Sequence, residues 1–338
     1  MHRAFIMGVA GVELTAAERD LIASSRPAGL ILFTRNIRSR EQVCDLVAAF
    51  KAAMGDDRVL VLVDQEGGRV QRLKPPLAAL LPPAAAYAAH FAHDRAAAIA
   101  AARSVARLLA DELRGFAINT DCAPVADLPV PGAHNIIGNR AFGRDAETVI
   151  ALGRAFAEGL MAGGVLPVVK HVPGHGRAMA DSHLELPVVT ASRAELESTD
   201  FVPFQALADL PAAMTAHVVF RAIDAAAPAS TSGVVTSEVI RGSCGFDGLL
   251  MSDDLGMHAL SGPFSERTRA VIEAGSDLAL HCSGNIEELA EVAEAAPWLS
   301  GRSLQRFERA LATTERPAEP FDEVAARTTL ASLVAHVA

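Results

Sequence analysis

Aromatic residues are scarce: one tryptophan and one tyrosine stand beside 14 phenylalanines in 338 residues. The apolar fraction of 51% therefore rests on alanine and aliphatic side chains, which suits a large core of close-packed helices. No apolar run reaches about 18 residues, so no segment reads as a membrane-spanning helix. No cluster of Lys and Arg offsets the net charge of −10, which argues against nucleic acid or an anionic membrane as partner. Cys44, Cys122, Cys244 and Cys282 are widely spaced, with no C-x-x-C pair. That excludes the usual signs of a disulfide framework or a thiolate zinc site, and reduced core thiols in a cytoplasmic protein are expected. The opening MHRAFIMGVAGVEL has the arginine and apolar stretch of a leader. Thr15-Ala-Ala-Glu18 directly after it is a capping box, so a first strand and first helix are expected instead.

What the chain does have is alternation. Short apolar runs recur at 5–9, 29–33, 59–64, 117–121, 166–170, 213–217, 248–252 and 278–281. Between them lie helix candidates. In 94–114, Ile99, Ala102, Val105, Leu109 and Leu113 share a face; in 146–162, Val149, Leu152, Phe156 and Leu160 do so, with Gly163-Gly164 as the stop. Strand alternating with helix implies parallel pairing, and eight units predict an α/β fold closed as a single (β/α)8 TIM barrel over 1–338. A C-terminal helical segment is expected at about 301–338, and an open doubly wound sheet is the structural alternative. Pro75-Pro76 to Pro82-Pro83 reads as an irregular loop, and Pro317 to Pro320 as a break before a last helix.

The most informative stretch is VLPVVKHVPGHGRAMADSHLELP, 165–187. An apolar run stops at Lys170 and His171, opens into a loop with Pro173, Gly174 and Gly176 around His175, and delivers Asp181-Ser182-His183. A carboxylate beside an imidazole can orient it and tune its basicity. Other runs end similarly: in Asp64, in Asp121, in His217 and in Asp253-Asp254. A single Asp after a strand is usually a cap or turn residue. Five ionisable strand ends together predict a polar pocket on the carboxyl face of a barrel.

Two catalytic groups flanking one bond are the equipment of glycoside hydrolysis. Asp253 is the nucleophile candidate, and Asp181 with His183 the source of the proton. Asp64, Arg72, Arg140, Lys170 and His171 would hold sugar hydroxyls by charge-assisted hydrogen bonds. His217 and Asp121 are further candidates for the pocket. His175 is read as a loop brace, Asp254 as a cap of the next turn, and His281-Cys282 as a weak candidate for the pocket floor. His90, His134 and His258 are read as surface or packing residues.

DQEGGRVQRL (64–73), INTDCAPVADL (118–128), IGNRAFG (137–143), KHVPGHGRAMADSH (170–183), MTAHVVF (214–220) and MSDDLGM (251–257) resemble, in order, the family 3 glycoside hydrolases of the β-N-acetylhexosaminidase kind. The match runs over roughly residues 1–290. The resemblance implies a TIM barrel that removes N-acetylglucosamine from 1,6-anhydro-N-acetylmuramic acid during cytoplasmic peptidoglycan recycling. It further implies Asp253 as the glycosyl-bearing nucleophile, His183 as an unusual histidine acid/base, and Asp181 as its partner. Asp64, Arg72, Arg140, Lys170 and His171 fall on sugar-binding positions. Larger family 3 β-glucosidases take a carboxylate acid from a second domain; 338 residues leave no room for one, so the proton donor is expected from the barrel. The expected partner is a small muropeptide-derived amino sugar, with no cofactor, no metal and a monomeric state.

Two rivals come from other classes. A metal-dependent barrel hydrolase would gather His171, His175, Asp181, His183 and His217, although no H-x-H pair sits on a strand. A non-catalytic sugar-binding barrel would have no use for Asp181 with His183. A family 3 glycosidase or phosphorylase of other sugar specificity also stays open.

Overall fold

The computed structural model describes residues 1–179, Ser182 and 185–335. Eight strands close into a barrel: β1 (Arg3–Met7), β2 (Pro27–Leu32), β3 (Leu60–Val63), β4 (Thr120–Asp121), β5 (Leu166–Val172), β6 (Ala212–Thr215), β7 (Leu249–Asp254) and β8 (Leu278–His281). Each pairs in parallel with the next, and β8 pairs with β1. The expected TIM barrel is therefore what forms. No helix among the described residues is long and apolar enough to cross a membrane.

Strand alternation divides the core in two. Ala4 and Ile6 of β1 and Leu60 and Leu62 of β3 fill the barrel interior with Val168, Met214, Met251 and Leu280. Their neighbours Phe5, Met7, Val61 and Val63 face outward into the larger layer beneath the helices. Helix Gly301–Thr314 sends Phe307, Ala310 and Leu311 into the interior cluster and so closes the amino end of the barrel. There Leu299 N donates to His2 O at 2.8 Å, and the Phe307 ring lies 5.2 Å from that of His2. After the break at Pro317 to Pro320, helix Glu323–Ala335 packs on helix Arg95–Gly115.

Local signals explain the borders. Thr15 accepts from Glu18 N while Glu18 Oε2 accepts from Thr15 N at 2.7 Å, the capping box expected at the start of helix Ala16–Ser25. Asp94 and Asp145 cap helices Arg95–Gly115 and Ala146–Ala162, each cap contributing about 1 kcal/mol. Strand β4 is shorter than the apolar run 117–121. Ala117 sits in the left-handed region (φ 58°), still unwinding from the preceding helix. Asn119 then pairs with β3 through its side chain, accepting from Val61 N at 2.7 Å and donating to Val59 O at 2.9 Å. Strand β5 runs longer than expected and carries Lys170 and His171 within it.

Candidate active site

The carboxyl ends of the strands surround a cleft of about 420 Å³, inside the usual range for a small-molecule site. Asp64, Arg72, Arg140, Lys170, His171 and Asp253, drawn from widely separated stretches of sequence, all line it. Lys170 Nζ lies 2.8 Å from Asp64 Oδ1 and 2.7 Å from Glu66 Oε1. Arg72 meets Asp64 at 3.0 Å, and Arg140 grips Glu66 through two nitrogens at 2.8 Å each. The result is a five-member network of alternating charge along one wall. Burial opposes ionisation of Asp64 and Glu66, but the facing cations outweigh it and hold both below the usual carboxylate range. Burial also opposes the charge on Lys170, and the two carboxylates reverse that, so it stays an ammonium.

The Gln65 side chain builds this wall. It accepts from Arg72 N and Leu73 N at 2.9 and 3.0 Å and donates to Leu73 O at 2.8 Å. That folds Gln65–Gly67 back on Val70–Gln71 and returns Arg72 to Asp64. On the neighbouring wall, His171 Nδ1 donates to Asp127 at 2.7 Å, which leaves Nε2 as its remaining ring nitrogen on the cleft side. The other Asp127 oxygen accepts from His175 N at 2.6 Å. Gly176 is required at this junction: a Cβ there would lie 1.9 Å from the Leu128 carbonyl oxygen.

Asp253 stands at the end of β7 and faces the cleft; its Oδ1 accepts from Asp254 N at 2.8 Å, and it has no cationic partner among the described residues. Asp254 is engaged elsewhere, accepting from Gly256 N and Cys282 N at 3.0 Å each with His281 Nδ1 at 3.6 Å, the capping role expected of it. Burial opposes its ionisation, but these donors hold it below the ordinary range.

Asp121 and His217 do not line the cleft. Asp121 is fully buried behind the ion network, accepts from Gln65 N at 3.0 Å, and leaves Oδ2 without a partner. Burial pushes its pKa up to about 8. His217 is engaged by Ser230 Oγ at 2.6 Å and the Asp254 carbonyl at 3.0 Å. His281 is buried behind Asp254, whereas Cys282 lines the cleft. His175 lines it too, with Ser182 Oγ 3.0 Å from its Nε2, and burial lowers its pKa to about 4. Asp181 and His183 lie outside the described residues. Among the described residues no group of three His, Cys, Asp or Glu side chains is arranged to hold a metal ion. Glu66, Arg69 and Asp127 were not singled out from the sequence. Glu66 was legible as a second carboxylate beside Asp64, and Asp127 as a lone charge in the apolar stretch after β4.

A closed parallel barrel whose strand ends present such a cleft is a TIM-barrel enzyme. Residues 5–312 match the profile of the glycosyl hydrolase family 3 N-terminal domain, and the chain belongs to that family; it is a glycoside hydrolase. A protein named beta-hexosaminidase from Alkalilimnicola ehrlichii is 43% identical over 282 residues, which cover 82% of this chain and 80% of that protein. The crystal structure of native NagZ from Neisseria gonorrhoeae superposes with a TM-score of 0.87 at 33% identity, covering 98% of each chain. The same NagZ has been solved with N-trifluoroacetyl-D-glucosamine (TM-score 0.88, 33% identity) and with a zinc ion (0.86, 31%), again covering 98% of each chain.

Proposed function

We propose that the protein is a retaining exo-β-N-acetylglucosaminidase that releases N-acetylglucosamine from N-acetylglucosaminyl-1,6-anhydro-N-acetylmuramic acid in cytoplasmic peptidoglycan recycling. The observation that carries the reading is Asp253, a carboxylate without a cationic partner among the described residues, in the same cleft as a wall of paired charges. The likeness to proteins named beta-hexosaminidase, and to a NagZ solved with an N-acylglucosamine, supports the choice of sugar. Asp64, Arg72, Arg140, Lys170 and His171 hold one terminal sugar through its hydroxyls, with geometry fixed before binding by the ion pairs among them. An Asp253 oxygen attacks C1 and the C1–O bond to the leaving sugar breaks. His183, oriented by Asp181, gives its proton to the departing oxygen. Water then loses a proton to His183 and its oxygen displaces Asp253 from C1, restoring the original configuration.

Neither step needs a metal, because the nucleophile is a carboxylate and the proton comes from an imidazole. Product analysis of the disaccharide and of an aryl N-acetylglucosaminide, with and without phosphate and in excess chelator, tests the reading. Free β-N-acetylglucosamine as first product, formed at full rate in chelator, is expected. A sugar phosphate would make the protein a phosphorylase. Activity lost in chelator and restored by zinc would favour the metal-dependent hydrolase.

A further inference from the structure

The Asp253 carboxylate takes its orientation from Asp254. The Asp254 N–H donates to Asp253 Oδ1 at 2.8 Å, which ties one carboxylate oxygen to the main chain of the next residue. Where that N–H points depends on how Asp254 itself is held. On the β8 side the hold is a strand ladder: Asp254 lies opposite Leu280, and Leu255 N donates to Leu280 O at 2.8 Å. On the β6 side the pairing stops at Met251 opposite Met214. Asp254 and His217 stand equally far beyond that pair in sequence. There the His217 side chain takes the place of the ladder, its Nε2 lying 3.0 Å from the Asp254 carbonyl oxygen. A carbonyl only accepts, so Nε2 carries the proton. Burial lowers the His217 pKa against the pull of the Asp253 and Asp254 charges, so Nδ1 is bare and accepts from Ser230 Oγ at 2.6 Å. The loop that carries the ring is pinned as well: Ala216 N donates to Val172 O at 2.9 Å, and Ser230 N to Ala216 O at 3.2 Å. His217 is fully buried and does not line the cleft, so its influence passes through Asp254.

We propose that His217 is a positioning residue for the nucleophile. Through the Asp254 carbonyl it fixes the main chain whose N–H aims Asp253 at C1 of the sugar, and Ser230 holds it in the tautomer that does so. This rests on the reading of Asp253 as the nucleophile. A reacting atom displaced by about 1 Å costs on the order of a hundredfold in rate, and the sugar itself is held by the separate wall of ion pairs. Loss of the His217 bond should therefore slow chemistry and spare binding.

The experiment measures kcat on an aryl N-acetylglucosaminide, the rate of trapping by a fluorinated sugar, and affinity for free N-acetylglucosamine. Wild type is compared with His217→Leu, which removes the donor, His217→Gln, which returns an N–H near the Nε2 position, and Ser230→Ala. In His217→Leu, kcat and the trapping rate should fall together by about ten- to hundredfold, with N-acetylglucosamine affinity unchanged. His217→Gln should recover most of that loss, and Ser230→Ala should show a smaller fall of the same kind. An unchanged trapping rate in His217→Leu, or a fall matched by an equal loss of N-acetylglucosamine affinity, would overturn the assignment. Should His217→Leu fail to fold, the same two readings on Ser230→Ala decide it. A wild type that is trapped at a residue other than Asp253, or not at all, would overturn the nucleophile reading instead, so the two failures are distinguishable.

Discussion

The two ends of the barrel each bury carboxylates among arginines, and they use them differently. At the amino end Asp277, just before β8, accepts from Leu250 N, Arg241, Ser303 and Arg306 at 2.7–3.2 Å. Both oxygens are doubly used and its side chain is 1% exposed. At the carboxyl end Asp64 is 16% exposed, and the cleft beside it holds Asp253, which among the described residues has no cationic partner. A fully satisfied ion cluster stabilises a junction. One left open toward solvent, with partners fixed but not exhausted, can receive a ligand.

The sharpest way to break this contrast is Asp253→Ala, which should lower turnover by about 10⁴-fold or more while leaving the thermal midpoint nearly unchanged. A fluorinated sugar should trap a glycosyl group on the Asp253 peptide; label on Asp254, or an inverted product, would refute the assignment. Next, His183→Ala should slow the natural disaccharide by about 10²–10⁴-fold, and far less a substrate with a very acidic leaving group. Asp181→Ala should show a smaller defect in the same direction, and equal losses on both substrates would point to binding or folding instead.

The two ends can be compared directly. Lys170→Met takes the shared cation from Asp64 and Glu66, leaving them Arg72 and Arg140, and Asp277→Ala takes the shared carboxylate from Arg241 and Arg306; removing one partner from a buried pair costs up to about 3–5 kcal/mol in either case. Urea unfolding should show both variants destabilised. Only the Lys170 change should raise KM, and a comparable rise for Asp277→Ala would erase the functional contrast between the ends.

The smallest effect expected is a pH effect at Asp121. Unfolded, its carboxyl ionises near 4; folded, it holds its proton to about 8. Between those values the native state binds more protons than the unfolded one, so this group's contribution to stability falls as pH rises. Asp121→Asn is neutral throughout, so its advantage over wild type should grow steadily from pH 4.5 to pH 8. A constant difference across that interval would show that Asp121 is ionised in the fold.

Much of the site was legible because charge at the end of an apolar run is locally encoded. Asp64, Lys170, His171 and Asp253 each close such a run, and the cleft gathers them all. Glu66 and Asp127 escaped because their meaning lies in partners far along the chain: Arg140 for one and His171 for the other. Asp121 and His217 also end apolar runs, yet both are fully buried and neither lines the cleft. A residue's place in a run does not specify on which side of the barrel wall its side chain falls.

Sequence alone determined the barrel, its order of strands and helices, the capping box of the first helix and the family, because these depend on local periodicity and contiguous motifs. It determined helix Ala146–Ala162 to the residue, since its apolar face and the paired glycines after it mark its extent. Tertiary structure decided how far each strand runs, as where the Asn119 side chain, just before β4, adds its own bonds to Val59 and Val61. It also decided which charges neutralise one another and which remain for a ligand. Charge pairing depends on distances of a few ångströms between residues far apart in the chain, 106 positions for Lys170 and Asp64, and only closure of the barrel sets those distances.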